Sequence, residues 1–185
     1  MLNSFMHKKI PKKYYFIKKF DKSNIDKQDK NTSIIYRNYL KISNREEEVL
    51  KLKQYCRKKG LKFFLSNDVR LSLKLNLDGV YLPSFNNNLN HLSFNLKKKF
   101  LIIGSAHNIK EIRLKELQKV NAIFLSSIFK KNKNFLGLNK FKNISKISEK
   151  KIIALGGLSK SNIRLLKLTG SYGFAGISFF KKKGP

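Results

Sequence analysis

Short apolar runs alternate with segments of helical period along the whole chain. Eight of these runs have the length and β-rich composition of buried strands, and they lie at residues 14–17, 33–36, 63–65, 79–82, 101–103, 122–125, 152–155 and 174–177. The runs recur at roughly even spacing with helical segments between them. This pattern predicts an α/β fold in which parallel strands are joined by helical crossovers.

The clearest helical segment spans residues 44–58. Glutamates at 46–48 occupy its first turn, basic residues at 57–59 occupy its last turn, and Gly60 is a suitable terminator. This order of charges complements the helix dipole. Further helices are predicted at 69–75, 109–120 and 161–168, with a weaker one at 138–147.

Eight strand–helix units favour a closed (β/α)8 TIM barrel over an open doubly wound sheet. Such barrels usually take about 250 residues, and this chain has 185, so the barrel must be compact. The polar segment 21–31 has no apolar stripe and predicts a first helix reduced to a loop. The last strand is followed by few residues, which predicts a missing last helix. The expected division is an N-terminal extension at 1–12, a barrel domain at 13–180 and a basic tail at 181–185.

Composition narrows the class of protein. The chain is 41% hydrophobic, which is enough to bury a substantial core. The single Cys56 excludes an intramolecular disulfide, and no apolar run reaches the roughly 18 residues of a membrane span. Residues 1–13 carry Lys8 and Lys9 but lack the apolar core of a signal peptide. These features predict a cytoplasmic protein with no membrane partner.

Net charge is the most unusual feature. The chain has 41 basic and 11 acidic residues, a formal charge of +30. Only six of the basic residues are arginine, the residue that base edges and bidentate phosphate contacts favour, and the lysines are spread over every segment. A general compositional bias therefore explains the charge better than a nucleic-acid site does. A charge-driven polyanion binder is kept as an alternative.

The residues that follow the strands are polar. In a parallel barrel the ligand site lies at the C-terminal ends of the strands. These positions are Arg37-Asn38, Ser66-Asn67-Asp68, Gly104-Ser105-Ala106-His107, Ser126-Ser127, Gly156-Gly157 and Ser178. Arginine offers a fork for phosphate, aspartate a hard oxygen for magnesium, and a glycine turn before a helix N-terminus offers free N–H groups. The set predicts a phosphorylated small-molecule ligand, although the glycine pair alone also suits a simple turn.

Several of these residues have competing interpretations. His107 is a candidate general base or a residue that orients its loop. Asp68 either binds a metal or caps the helix that follows it. His7 and His91 lie among polar residues, form no zinc pattern and are predicted at the surface. The aromatic residues at 14–16 are predicted to be core rather than a base-stacking platform.

Six motifs in order resemble the thiamine phosphate synthase and TenI family of (β/α)8 proteins, over residues 34–180. They are Tyr36-Arg37-Asn38, Leu65-Ser66-Asn67-Asp68, Asp78-Gly79-Val80-Tyr81-Leu82, Ile103-Gly104-Ser105-Ala106-His107, Ala154-Leu155-Gly156-Gly157-Leu158 and Gly173-Phe174-Ala175-Gly176-Ile177-Ser178. Each motif is short and degenerate, so the specificity lies in their number and order.

The resemblance implies a function. The family's synthase joins an aminopyrimidine diphosphate to a thiazole phosphate and releases pyrophosphate, with Mg2+ stabilising the leaving group. It implies that Arg37, Asn67 and Ser105 contact the diphosphate substrate, that Asp68 is one of two magnesium-binding carboxylates, and that Gly157, Ile177 and Ser178 cradle the thiazole phosphate.

Departures from the family pattern fall on its charged positions. The family's Gln and Lys around the strand-two arginine are Ile35 and Tyr39 here, and its second magnesium carboxylate is Asn86. A lysine-rich segment, 130–134, replaces its Thr-x-Thr-Lys loop, with Lys131 and Lys133 as the candidate substitutes for the family lysine.

Other positions point to alternatives. Pro83-Ser84 is more similar to the TenI branch, which aromatises thiazole phosphate by proton transfer, but Ser127 stands where that branch's catalytic histidine is expected. A non-catalytic thiazole-phosphate-binding protein therefore stays open beside the synthase. A reduced first helix would leave one flank of the barrel to be covered, which makes a homo-oligomer a candidate state.

Overall fold

A computed structural model describes residues 9–40 and 43–181. Eight parallel strands close into a barrel in sequence order. They are β1 (Lys13–Ile17), β2 (Thr32–Tyr36), β3 (Phe63–Ser66), β4 (Gly79–Leu82), β5 (Leu101–Ala106), β6 (Ala122–Ser126), β7 (Lys151–Leu155) and β8 (Gly173–Gly176). The predicted closed barrel is confirmed, and β1 pairs with β8 to complete it.

Five α-helices lie in the connections. They are α1 (Lys22–Asp26), α2 (Arg45–Lys58), α3 (Val69–Lys74), α4 (Ile109–Leu117) and α5 (Gly137–Ile147). The connections after β4 and β7 contain only 3-10 helices, Asn90–Ser93 and Ile163–Leu168. The second of these lies where an α-helix over 161–168 was predicted.

The first crossover is shorter than in a full barrel, but it is not a loop. α1 is a short helix whose Asp21 side chain accepts a hydrogen bond from Asn24 N, and whose Ile25 is fully buried. One cap and one buried side chain hold it in place, which is why a search for an apolar stripe missed it. The prediction of a loop was wrong, whereas the prediction of a reduced first helix is confirmed.

The flank near β1 and β8 is covered by aromatic side chains. Within the described residues, which end at Lys181, β8 is followed by a turn and not by a helix. Phe180 in this turn stacks on Phe174 at 5.6 Å between ring centroids and lies 5.6 Å from Tyr15. Its carbonyl oxygen accepts a hydrogen bond from Gln28 Nε2. The turn therefore packs where an eighth helix would otherwise lie.

Aromatic rings fill the barrel interior. Tyr14 contacts Phe64 and Phe124 edge-on. Phe16, Tyr81 and Phe124 pack against one another, with ring centroids 5.2 to 5.7 Å apart in the three pairs. Tyr15 faces outward and is buried with the helices. The prediction that residues 14–16 are core is confirmed.

Two further apolar clusters lie between the strands and the helices. One joins the outer faces of β1 to β3 to α1 and α2, and the other joins β4 to β7 to α4 and α5. Cys56 is fully buried in the first, where burial raises the pKa of its thiol to about 12 and keeps it protonated. No helix in the described part of the chain has the length and apolar character needed to cross a membrane.

His91 is not at the surface, so that prediction was wrong. Only 4% of the residue is exposed, and its Nε2 lies 2.9 Å from the backbone oxygen of Gln118. The Asn90–Ser93 turn folds the ring against the end of α4, where this hydrogen bond satisfies the buried imidazole nitrogen. His7 lies outside the described residues.

Candidate active site

Arg37 lies over the top of the barrel core at the end of β2. Its backbone N–H donates to Ile17 O at 2.8 Å, which extends the ladder between β1 and β2 by one bond. Its guanidinium carbon lies 4.9 Å from the centre of the Phe16 ring. This cation–π contact holds the guanidinium fork at the C-terminal end of the barrel.

Two polar residues end β3. Asn67 adopts a left-handed conformation, with φ of 63°, and its N–H donates to Tyr81 O at 2.8 Å. Asp68 Oδ1 accepts from Leu71 N at 3.0 Å and so caps α3, while Asp68 Oδ2 lies 4.0 Å from the Arg45 guanidinium. The capping role of Asp68 is therefore present, and its second oxygen still faces a cation.

A cavity of about 250 Å³ lies between the loops that follow β3 and β4. Asn67, Asp68 and Asn86 are among its lining residues, and Asn86 Nδ2 donates to Asn67 Oδ1 at 2.6 Å. Among the described residues no group of three or more His, Cys, Asp or Glu side chains converges to hold a metal. Magnesium in proteins is commonly held by one or two carboxylates together with substrate phosphates. Asp68 is the one carboxylate among the described residues that line this cavity, so a magnesium ion held there would need phosphate oxygens or water as its other ligands.

Ser105 lies near the C-terminal end of β5 and is bonded to a buried phenol. Its Oγ is 2.9 Å from the hydroxyl of Tyr81, and both residues are buried. Burial raises the pKa of Tyr81 to about 12, a rise that the nearby Arg37 opposes. The phenol therefore stays neutral at physiological pH and is available as a hydrogen-bond donor.

The turn after β7 needs both of its glycines. Gly156 and Gly157 have φ of 102° and 75°. A Cβ on Gly157 would lie 2.4 Å from Lys130 N, because Gly156 O accepts from Phe129 N and brings the loop after β6 against the turn. The glycine pair therefore allows the loop after β6 to approach the turn after β7 closely, and this requirement does not depend on any ligand.

The turn after β7 lies beside the residues that follow β8. Leu155 pairs with Ala175 at the end of the ladder, and Gly157 and Ile177 each come two residues after this pair. Within the described part of the chain, the N–H groups of Gly157 and Ser178 have no hydrogen-bond acceptor. A short 3-10 helix follows the turn instead of the α-helix N-terminus predicted there, so the helix dipole adds little and the backbone N–H groups are the donors available at this turn.

The lysine-rich loop after β6 folds back on Ser127. Ser127 N donates to Asn134 O, and Leu136 N donates to Ser127 O, both at 2.9 Å. The side chains of Lys131 and Lys133 are exposed, with no hydrogen bond or ion pair to any described residue. The structure does not bring them to the cavity at β3 and β4.

His107 is tied to the helix that follows it. Its backbone N–H and its Nδ1 lie 2.8 and 2.9 Å from Glu111 Oε2, in the first turn of α4. This contact supports the interpretation that His107 orients the loop after β5.

A family model described as thiamine monophosphate synthase matches residues 27–180. The chain belongs to this family. A thiamine-phosphate synthase from Persephonella marina is 29% identical over 157 residues, covering 80% of this chain and 73% of the relative. One from Helicobacter pylori is 34% identical over 136 residues, covering 70% and 61% respectively.

A solved thiamine phosphate pyrophosphorylase from Pyrococcus furiosus has the same fold. It superposes with a TM-score of 0.75 over 90% of this chain and 85% of its own, at 23% identity. At this identity the match supports the barrel architecture.

Sequence analysis missed two residues near the site, Lys115 and Gln118 in and after α4. Both are fully buried and bonded to the loop that follows β4. The available signal was spacing: Lys115 comes three residues after the buried Ile112 and so falls within the apolar stripe of the helix. A lysine in such a stripe is unusual enough to single out.

Proposed function

We propose that this protein is a thiamine-phosphate synthase that couples an aminopyrimidine diphosphate to a thiazole phosphate. Support comes from family membership and from two anion-binding features at one end of the barrel. Arg37 and Asp68 follow β2 and β3, and the Gly157 and Ser178 N–H groups follow β7 and β8. Because β8, β1 and β2 are consecutive around the barrel, the two features flank β1 and its Phe16 ring. This arrangement suits two phosphorylated substrates held side by side.

Each residue has a task that matches its chemistry. The Arg37 fork and the amide of Asn67 bind the diphosphate, and the cradle at Gly157, Ile177 and Ser178 binds the thiazole phosphate. Mg2+, when held by Asp68 and diphosphate oxygens, neutralises the negative charge of the leaving group. The residues assigned here are the ones that the family resemblance implies, except that no substrate contact is assigned to Ser105, which is bonded to Tyr81, or to the exposed Lys131 and Lys133.

The reaction balances without a proton transfer. The bond from the pyrimidine methylene carbon to oxygen breaks and its electron pair leaves with pyrophosphate. The thiazole nitrogen lone pair then forms the new C–N bond, so the positive charge ends on the thiazole nitrogen. Phe16, Tyr81 and Phe124 close the barrel below this point and exclude water, which would otherwise capture the carbocation-like pyrimidine.

The test is turnover by the purified protein supplied with both substrates and Mg2+. We expect product and pyrophosphate in equal amounts, and Arg37→Met should lower kcat/KM about 100-fold because it removes a bidentate charged contact. Arg164→Met is the matched control, since Arg164 is exposed on the short helix after β7 and forms no hydrogen bond or ion pair with a described residue. Equal effects of the two substitutions would contradict the role of Arg37.

Asn86 and Tyr39, which stand at charged positions of the family pattern, favour one alternative, a protein that binds thiazole phosphate without turnover. Calorimetry with thiazole phosphate alone, combined with the turnover assay, separates the synthase from the binding protein. Binding with no product from the complete mixture would replace the synthase with the binding protein. Preference for nucleic acid, with affinity falling steeply as salt rises, would support the charge-driven alternative.

A further inference from the structure

Lys115 is a buried cation that forms no ion pair with a described residue, although the charge of Glu111, one helical turn earlier, favours its protonated form. Its exposed fraction is 0%, and its Nζ donates to Asn86 O at 2.7 Å and to Gln118 Oε1 at 2.8 Å. Its aliphatic stem packs where a Cβ on Gly104 would stand, 2.9 Å from Lys115 Cδ. Burying an ammonium whose hydrogen-bond acceptors are neutral oxygens costs free energy, so its contacts are the place to look for a role.

Gln118 completes the same contact from the end of α4. Its Nε2 lies 3.0 Å from Asn86 O, 3.2 Å from Asn86 Oδ1 and 2.9 Å from Asn88 O. Its own backbone oxygen accepts a hydrogen bond from Nε2 of the buried His91 ring at 2.9 Å. Several hydrogen bonds therefore join the loop after β4 to α4 and to the residue that follows it.

These bonds fix which way the Asn86 amide faces. Its Oδ1 accepts from Gln118 Nε2 and from Asn88 N at 2.9 Å, and its Nδ2 donates to Asn67 Oδ1 at 2.6 Å. Both lone pairs of Oδ1 are therefore used. In this arrangement Asn86 offers a donor to Asn67 and no free oxygen to a cation.

We propose that Lys115 and Gln118 are positioning residues that orient Asn86, and through it Asn67, for the diphosphate substrate. The inference rests on the proposed function and adds to it a reason for asparagine at position 86. Asn67 is then held from two sides, by the Asn86 amide and by the bond from its own N–H to Tyr81 O. A site in which Asn86 is a donor needs only the Asp68 carboxylate for metal.

Two substitutions test the positioning role without changing side-chain volume much. Lys115→Met keeps the stem and removes Nζ, and Gln118→Glu keeps the acceptor for Lys115 and removes the three donated contacts. Both should raise KM for the aminopyrimidine diphosphate about tenfold and leave KM for thiazole phosphate within about twofold. Lys110→Met is the control, because Lys110 is exposed on the same helix. A general loss of structure would raise both KM values together and would overturn the proposal.

Asn86→Asp distinguishes a positioning role of residue 86 from a metal-ligand role, because the two roles predict different kinetic changes. A carboxylate has no proton to donate to Asn67 Oδ1, so the positioning role predicts a higher KM for the diphosphate at every Mg2+ concentration. A metal-ligand role for position 86 predicts that Asn86→Asp lowers the Mg2+ concentration needed for half-maximal rate, and that result would overturn the proposal.

A binding measurement that does not depend on turnover tests the positioning proposal separately from the synthase proposal. If the wild-type protein makes no product, the synthase proposal fails, and calorimetry with pyrophosphate and Mg2+ then tests positioning alone. A Kd about tenfold weaker in Lys115→Met but not in Lys110→Met supports positioning. An equal Kd in all three proteins overturns it.

Discussion

The two sides of the candidate site are built from different materials. On the side of β2 to β4 the chemistry is carried by side chains: Arg37 on Phe16, Asp68 at a helix cap, and Asn67 held by Asn86. On the side of β7 and β8 it is carried by backbone N–H groups next to two glycines in left-handed conformations. The departures from the family pattern fall on side chains, at Tyr39, Asn86 and the 130–134 loop.

The difference follows from what each material requires. A backbone cradle needs a conformation, and the glycines supply it whatever residues surround them. A side-chain site needs particular functional groups, and each replacement there changes the partners of its neighbours. The Lys115, Gln118 and Asn86 cluster shows such an adjustment, because the amide at position 86 has all its oxygen lone pairs engaged from behind.

The largest expected effect is on the backbone side. Gly157→Ala should destabilise the fold by about 3 kcal/mol and raise KM for thiazole phosphate more than 100-fold, because its Cβ would meet Lys130 N and its φ is positive. Chemical denaturation and steady-state kinetics measure both. Gly170→Ala is the control, since Gly170 shares a positive φ but has open space around it. Equal losses would show that conformation alone, without the close approach, sets the cost.

Asp68→Asn should separate the metal role from the cap. Asparagine can still accept from Leu71 N, so Tm should hold, while loss of the carboxylate should lower kcat/KM about 100-fold and raise the Mg2+ requirement. Asp68→Ala should add about 1 kcal/mol of destabilisation from the lost cap. Full activity in Asp68→Asn would leave Asp68 as a cap only.

Stability should depend on pH through Lys115. Burial lowers its pKa in the folded protein to about 8 from an ordinary 10.5. Between these values the unfolded chain binds more protons, so this group makes the fold more stable as pH rises from about 8 to 10.5, by about 2 kcal/mol after allowing for relaxation. Denaturation midpoints of wild type and Lys115→Met across this range measure the difference. Parallel curves would show that Lys115 titrates normally.

The smallest expected effect is at Ser105. Ser105→Ala leaves the Tyr81 hydroxyl without its 2.9 Å partner and should cost about 1 kcal/mol of stability, with kcat/KM falling only a few fold. Tyr81→Phe in the same background should add little if the two groups act as a pair. Additive losses would show instead that Ser105 contacts the substrate directly.

Sequence reasoning predicted the barrel well because its signal is repeated. All eight strands were located within a few residues, since each is a short apolar run bounded by polar turns. The misses depend on single residues: the Asp21 cap and the buried Ile25 hold α1, and one hydrogen bond to Gln118 O satisfies the buried ring of His91. No periodicity records a contact of that kind.

The same contrast between repeated sequence patterns and single contacts applies to the candidate site. Strand ends are visible in the sequence, so Arg37, Asn67, Asp68, Gly157 and Ser178 could be assigned to one end of the barrel from order alone. The sequence could not show that Asn86 turns its nitrogen toward Asn67, because that direction is set by Lys115 and Gln118, some thirty residues further along the chain.

Local pattern therefore determined the architecture and the residue types at the strand ends, because apolar periodicity and turn chemistry act over a few residues. Tertiary structure decided which of those groups are free to bind and which are already used. Hydrogen bonds saturate: once Asn86 Oδ1 has accepted from Gln118 and Asn88 it has nothing left to offer a ligand. That allocation depends on residues distant in sequence, and only the closed barrel brings them together.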